Sequence, residues 1–461
     1  MNLTSILSYP FMRAQQIRDK FGWNTFIILF LVYWSQGFKS LSSLAVSLYY
    51  KDTLGLDPGV TQLIRTFSIV AWLIKPVYGF TTDNFPFCGY NRKSYLCLMG
   101  ALGMVSMISL VFHKNLYLGV MALTLNELSQ AFSDVIADAV MVERSRNDES
   151  GSSLLQSFSW TVMAMGGIIG SLLGGYLLEN IDPSTVMALN SFSPFLLIIS
   201  SIFLEEYPVA STSLKEQVST LILSIKTPSV YKPLLFVLIL RGASPRYSEL
   251  YTYFLRDELK MSKVLMSSLG IFSYSSMMIG GIVYHTFLEK KEYRHILCQG
   301  QIIIAALTLV DLALVLNVYT IIGVPGWSFV LGGEIIGSMV DLCFTSMPLL
   351  VMGAKICPVG VEATFFSLFT SVFNIGGAFS GITGGYLIEL LDVKTGHYGL
   401  FWLLIIIQII TKFVPLIFIK LLPLNKETAK EQEKNEEKEL IDLDLESDTE
   451  DSNNKRIIGK S

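Results

Sequence analysis

The sequence predicts an all-α membrane protein of about twelve transmembrane helices, arranged as two pseudo-repeated six-helix halves. Three observations predict it. The 461 residues are 51% hydrophobic and only 16% charged, with a mean hydropathy of +0.52, too few charges to cover a water-facing surface. Apolar runs long enough to cross a hydrocarbon core, which takes about 20 residues per helix, recur along most of the chain. Segments of the first half also reappear in the second at a near-constant offset.

The runs lie near 24–50, 59–79, 94–112, 115–142, 151–178, 184–203, 231–255, 264–288, 294–316, 323–352, 360–390 and 397–420. Helices buried in a large soluble protein would be shorter and separated by charged faces. The run that begins near Asn24 has no small-residue cleavage pattern behind it, so it reads as a retained span rather than a signal peptide. The longest polar break follows the sixth run. The chain therefore divides into an N-terminal segment (1–23), a six-helix half (24–204), a linker (205–230), a second half (231–422) and an acidic tail (423–461) with too little apolar content to order itself.

Lys and Arg set a direction under the positive-inside rule. Fourteen lie on the connections of one side, among them Arg13, Arg92, Lys215, Lys290 and Lys355, against six on the other: Lys51, Lys114, Arg256, Lys260, Lys263 and Lys394. This predicts cytoplasmic termini, a cytoplasmic linker and a cytoplasmic tail, in the plasma membrane with an organellar membrane as the alternative. The five cysteines show no paired spacing, and the four histidines no ligand pattern, so no metal and no cofactor are expected. Without a GxSxG elbow, an HExxH pair or a Gly-rich phosphate loop with lysine, the chain does not read as an enzyme. No nucleic-acid partner is expected; the partners are a small solute, protons and the lipid bilayer.

The repeats are specific. GGIIGSLLGGYLLENID, from Gly166 to Asp182, returns as GGAFSGITGGYLIELLD, from Gly376 to Asp392. Glu127 and Asp134 stand seven residues apart in the fourth run, as do Glu334 and Asp341 in the tenth. YYKDTLGL after the first run echoes FLRDELKM after the seventh. Duplicated six-helix halves resemble the major facilitator transporters, whose substrate site lies between the halves near the midplane. Gly166, Gly170 and Gly174, and again Gly377, Gly381 and Gly385, are spaced four apart, a pattern that lets helix backbones approach closely.

An ionised side chain at bilayer depth costs at least about 2.5 to 3.5 kcal/mol on insertion scales, so each asks for a partner or a task. Lys39 lies in the first run, Glu127 and Asp134 in the fourth, Arg241 and Arg246 in the seventh, and Glu334 and Asp341 in the tenth. Glu127 and Asp134 are two turns apart on one helix face, with Gln130 and Asp138 close to the same stripe. These nine residues are the candidates for substrate binding or coupling; fixed ion pairs that hold helices together are the alternative reading. Pro245, in RGASPRYSELY, breaks the seventh helix, and its two arginines can grip a carboxylate or pair with Glu334 or Asp341. GFTTDNFPFCGYNRKS, with Gly79, Asp83, Arg92 and Lys93, resembles a stretched facilitator loop motif that latches neighbouring helices, to which Glu143, Arg144 and Arg146 at the end of the fourth helix are added.

YYKDTLGLDPGVTQLI, IKPVYGFTTDNFPFCGYNRKSYL, SDVIADAVMVERSR and CPVGVEATFFSL together resemble the folate-biopterin transporter family of the major facilitator superfamily, over roughly Tyr49 to Leu391. The resemblance implies a central cavity lined by the first and fourth helices of each half, and secondary active uptake of folate, biopterin or related pterin-like organic anions, coupled to protons by alternating access. Asp134 or Glu127 would then pair with the amino-pyrimidinone edge of a pterin, and Lys39, Arg241 or Arg246 with a glutamate tail. Transport of another metabolite, such as an amino acid or a conjugated organic anion, and a non-transporting sensor that signals through the tail are the alternatives.

Overall fold

The computed structural model describes residues 3–112, 115–145, 151–206, 226–356 and 362–424; the acidic tail from residue 425 on, most of the linker and Arg146 lie outside them. Twelve helical spans follow one another among the described residues. In the N-terminal half they are Leu3–Phe38, continued by Lys39–Ser42 and Ser43–Leu48; Pro58–Ser68, Val70–Leu73 and Lys75–Asn84; Lys93–Ser109; Leu116–Ser145; Gly151–Asn180; and Pro183–Leu189 with Phe192–Phe203. The C-terminal half has Pro228–Gly242 with Ser248–Asp257; Lys263–Val283, extended by Tyr284–Leu288; Tyr293–Val315; Gly326–Val340, Asp341–Ser346 and Met347–Lys355; Glu362–Leu390; and Phe401–Thr411 running into Val414–Ile417 and Ile419–Leu421. We call these the first to twelfth spans.

Among the described residues six helices are long and apolar enough to cross a bilayer on those grounds alone: Leu154–Asn180, Pro183–Phe203, Lys263–Leu288, Tyr293–Val315, Gly326–Gly353 and Phe401–Leu421. The first, second, fourth and seventh spans, which carry buried charges or breaks, are not among them, nor are the eleventh and the third, Lys93–Ser109, which is apolar but shorter. Large apolar side chains stay on the outer surface, Phe112, Ile321 and Ile417 among them, as a hydrocarbon solvent favours. The long first helix includes Gly22 at φ 83°, a left-handed turn that only glycine adopts without strain; it separates an N-terminal helical segment from the span proper.

Prolines place three further breaks. Pro76 removes an N–H and orphans the carbonyl four residues back, that of Trp72; Asn374 Nδ2 of the eleventh span donates to it at 3.2 Å. Pro245 opens the seventh span between Gly242 and Ser248, and Ser380 takes up the loosened backbone on both sides, donating from its hydroxyl to Ser244 O at 2.6 Å and accepting from Arg246 N at 2.9 Å. Pro348 follows a widened π turn at Asp341–Ser346, which absorbs the carbonyl it cannot bond.

Hydrophobic packing is largely segregated by half. One cluster gathers Leu29, Leu96, Ile136 and Leu155, and another Leu234, Phe236, Phe365 and Phe369. The halves meet where the fifth span crosses the eighth and the second crosses the eleventh. Here the repeated glycines part company. A Cβ on Gly166, Gly170 or Gly174 would strike the backbone of the first span at Trp34, Phe38 or Leu41, whereas one on Gly381 or Gly385 would strike Thr66 or Leu63 of the opposite half. In the second half it is Gly376 and Gly384, one position earlier, that hold the seventh span against the eleventh, through Leu238 O and Arg246 O.

The bonds that join the halves sit toward the face carrying the turns after the first, seventh and eleventh spans. Lys51 pairs with Asp257 at 2.9 Å and Arg65 with Glu249 at 3.1 Å. The hydroxyls of Thr61 and Tyr253 meet at 2.9 Å, Asp57 accepts from Thr395 N at 3.2 Å, and Lys263 donates to Leu178 O at 2.6 Å. The bond between Asn374 and Trp72 is the deepest of the set. The bundle is closed at this turn-bearing face.

Candidate functional site: a charged cavity between the halves

A cavity of about 590 Å³ lies between the halves just beneath the closed face. Its N-terminal wall brings together Lys39 and Glu127, with Lys39 Nζ 2.8 Å from each carboxylate oxygen. Trp72 Nε1 donates to Glu127 Oε2 at 2.8 Å, and the lysine lies 5.8 Å from the centre of the indole ring. The ammonium, the carboxylate and the aromatic face thus form one group, each fixing the others' orientation. On the closed side Arg65 spans Glu249 and the Ser47 hydroxyl, 2.7 Å away. Ser248, Thr252, Tyr274 and Asn374 are among the residues that line it from the second half.

A second charged group lies deeper in the N-terminal half. Lys75 Nζ is 2.5 Å from Asp134 and 3.6 Å from Asp138. Gln36, which lines the cavity, donates to Asp134 at 2.8 Å, and the Tyr33 hydroxyl donates to Asp138 at 2.9 Å. Gln130 departs from the shared stripe read from the sequence. It turns into a buried knot with Ser35 and Ser193, donating at 3.2 and 3.3 Å, and joins the first, fourth and sixth spans instead of lining the cavity.

Apart from Glu249, the buried charges of the C-terminal half form a third group away from the cavity lining. Arg241 pairs with Asp341 at 3.5 Å and lies 4.2 Å from the centre of the Phe373 ring. Arg246 is within electrostatic reach of both Arg241 and Asp341, and so is Lys412, which also feels Asp311. Glu334 pairs with neither arginine; it accepts from Ser338 at 2.9 Å. Tyr251 donates to Asp311 at 3.1 Å.

The terminal connections of the N-terminal half hold the latch candidates. Arg92 meets Glu143 at 2.6 Å, tying the turn after the second span to the end of the fourth, and Arg144 is 3.9 Å from Glu205. Glu206 accepts from the backbone N–H groups of Asn91, Arg92 and Lys93, capping the third span. Gly79 packs beside Val135. The Asp83 side chain lies outside the described residues.

Reading the sequence for buried charges missed Arg65, Lys75, Glu249, Asp311 and Lys412, although all five lie inside apolar runs where the same cost argument applies. Trp72 carries no charge and had no signal beyond its proximity to Lys75.

A sequence profile of the BT1 family matches residues 36–440. The chain belongs to the BT1 family. Among BT1 relatives, a folate-biopterin transporter of Synechocystis sp. is 32% identical over 425 residues, 90% of this chain and 85% of the relative. Folate transporter 1 of Plasmodium falciparum is 28% identical over 84% of this chain and 77% of its own length. Among solved structures a point mutant of the nucleoside transporter NupG superimposes with a TM-score of 0.66 at 14% identity, covering 86% of this chain and all of that one. A D-xylose–proton symporter gives 0.65 at 12% identity over 87% and 97%. These likenesses establish the major facilitator fold: this BT1 chain is an integral membrane protein of a transporter family.

Proposed function

We propose that the chain is a secondary active transporter of folate, biopterin or related pterin-like organic anions, working by proton-coupled alternating access in the plasma membrane with both termini cytoplasmic. The observation that carries this reading is the Lys39–Glu127–Trp72 group on the wall of a closed-ended cavity between two halves. A carboxylate in a partly desolvated site can accept two parallel hydrogen bonds from an amino-pyrimidinone edge. The indole offers a face for a flat heterocycle, and Lys39 an ammonium for an anionic tail. About 590 Å³ falls within the range of small-molecule sites, roughly 300–1,000 Å³. The names of the BT1 relatives support the substrate class. With cytoplasmic termini, closure at the turn-bearing face corresponds to a cavity that loads and unloads from the cytoplasm.

The test is uptake of radiolabelled folic acid and biopterin, with and without a proton ionophore, in cells expressing wild type or Asp134→Asn. Saturable uptake that collapses with the ionophore and with the substitution is expected. A correctly folded surface protein that moves neither compound overturns the substrate assignment.

A further inference from the structure

We propose that the proton driving transport binds Asp138, and that Lys75 is the positioning residue that makes it do so by holding Asp134 ionised beside it. This rests on the proton-coupled reading above and names its site. The argument begins with charge. Lys75, Asp134 and Asp138 place two carboxyl groups around one ammonium, a net charge of one negative unit when all are ionised, within a bundle where uncompensated charge is costly. One proton removes that excess, and two such carboxyls bind it as a pair.

The geometry says where the proton goes. Asp134 is held by the ammonium at 2.5 Å and by Gln36 at 2.8 Å, with its side chain 11% exposed. Both partners donate to it. Asp138 stands 3.6 Å from the ammonium and keeps 34% side-chain exposure. Its one close partner is the Tyr33 hydroxyl at 2.9 Å, which donates to a carboxylate and can equally accept from a carboxylic acid. Protonation of Asp138 therefore strands no hydrogen bond, whereas protonation of Asp134 would oppose two. In the step, a proton passes from water to Asp138 Oδ and Lys75 Nζ settles wholly on Asp134; release reverses both.

Among the described side chains, the surrounding elements add no competing charge at this level. The segments Val70–Leu73 and Phe192–Phe203, both packed on the fourth span, have no ionisable side chain. Besides Lys75, the second and third spans bring Tyr78 and Tyr95, both stacked on Phe132, Arg65 at the level of Glu127, Cys97 on the third helix, and Asp83 and Lys93 at the helix ends. The fifth span brings Ser159, and the eleventh has its ionisable residues, Glu362, Tyr386 and Glu389, near its ends. Gln36 connects the proton to the solute, since a molecule in the cavity that engages this amide shifts its hold on Asp134 and hence the sharing of Lys75.

The experiment uses the full-length protein in vesicles with folic acid or biopterin as the probe. Asp138→Asn should retain solute exchange and lose accumulation driven by a pH gradient. Lys75→Gln should move the pH profile of exchange toward higher pH, because both carboxyls then hold protons without a neighbouring ammonium. Gradient-driven accumulation that survives in Asp138→Asn, or loss of exchange and accumulation together in a folded variant, overturns the proposal. If wild type moves neither probe, the substrate reading fails on its own. The proton site is then judged by tryptophan fluorescence titrated from acid to neutral pH, since Lys75 Nζ lies 5.8 Å from the Trp72 ring. A step in wild type that vanishes in both Asp138→Asn and Trp72→Phe supports the site; a step unchanged in Asp138→Asn refutes it.

Discussion

Removing one member of the Lys39–Glu127 pair separates a fixed helix clamp from a working site. Lys39→Met leaves Glu127 with Trp72 Nε1 as its one donor, in a side chain 18% exposed. Breaking a fully buried pair costs about 3–5 kcal/mol. Because the lysine side chain is 32% exposed and the carboxylate can draw on cavity water, about 2 kcal/mol is expected, below that buried-pair range. Lys39→Met/Glu127→Gln removes both charges, keeps the amide as an acceptor for Trp72 and should recover most of that loss. Thermal unfolding of the purified protein in detergent, read for wild type, the single variants and the double variant, closes the cycle. Solute uptake completes it: the double variant is expected to be stable and transport-dead. A double variant that transports like wild type would show the pair to be scaffolding, and a Lys39→Met protein as stable as wild type would refute the burial argument itself.

Four other outcomes follow from the geometry. Arg65→Ala strips Glu249, which is 5% exposed, of its cation and loosens the closed face. In a background free of native cysteines, Ser43→Cys in the cavity should then react faster with a membrane-impermeant thiol reagent added from that face, and an unchanged rate counts against a gate. Asn374→Ala orphans the Trp72 carbonyl at a cost of about 1–3 kcal/mol; adding Pro76→Ala restores the intrahelical bond, so the double variant should melt above the single. Gly384→Ala drives a Cβ into Arg246 O, whereas Gly337 has nothing within 4 Å; the first should lose about 1–3 kcal/mol or more and the second almost nothing, as thermal melts will show. Glu206→Gln weakens the cap on three backbone N–H groups and should cost about 0.5–2 kcal/mol in the same assay.

What the chain says by itself is set by solvent and periodicity. Apolar runs of about twenty residues have one stable home, a membrane-spanning helix, so the twelve spans are legible without coordinates. A duplicated half leaves its trace in GGIIGSLLGGYLLENID and GGAFSGITGGYLIELLD. Breaks are local too, since Pro76, Pro245 and Pro348 remove a backbone hydrogen bond wherever they stand. Lys39, Glu127, Asp134 and Asp138 announce themselves because a charge in an apolar run must be accounted for. Partnership is different, because it depends on which helices meet and how each is rotated. Gln130 belongs by spacing to the same stripe as Asp134, yet packing turns it to Ser35 and Ser193. Gly166 and Gly377 look equivalent by spacing, but their triads lie on faces one residue apart, one set against the first span and the other largely against the second. That Lys75 stands between Asp134 and Asp138, far away in the chain, was decided only when the second span packed on the fourth, because sequence spacing reports neighbours within a helix and is silent about neighbours between helices.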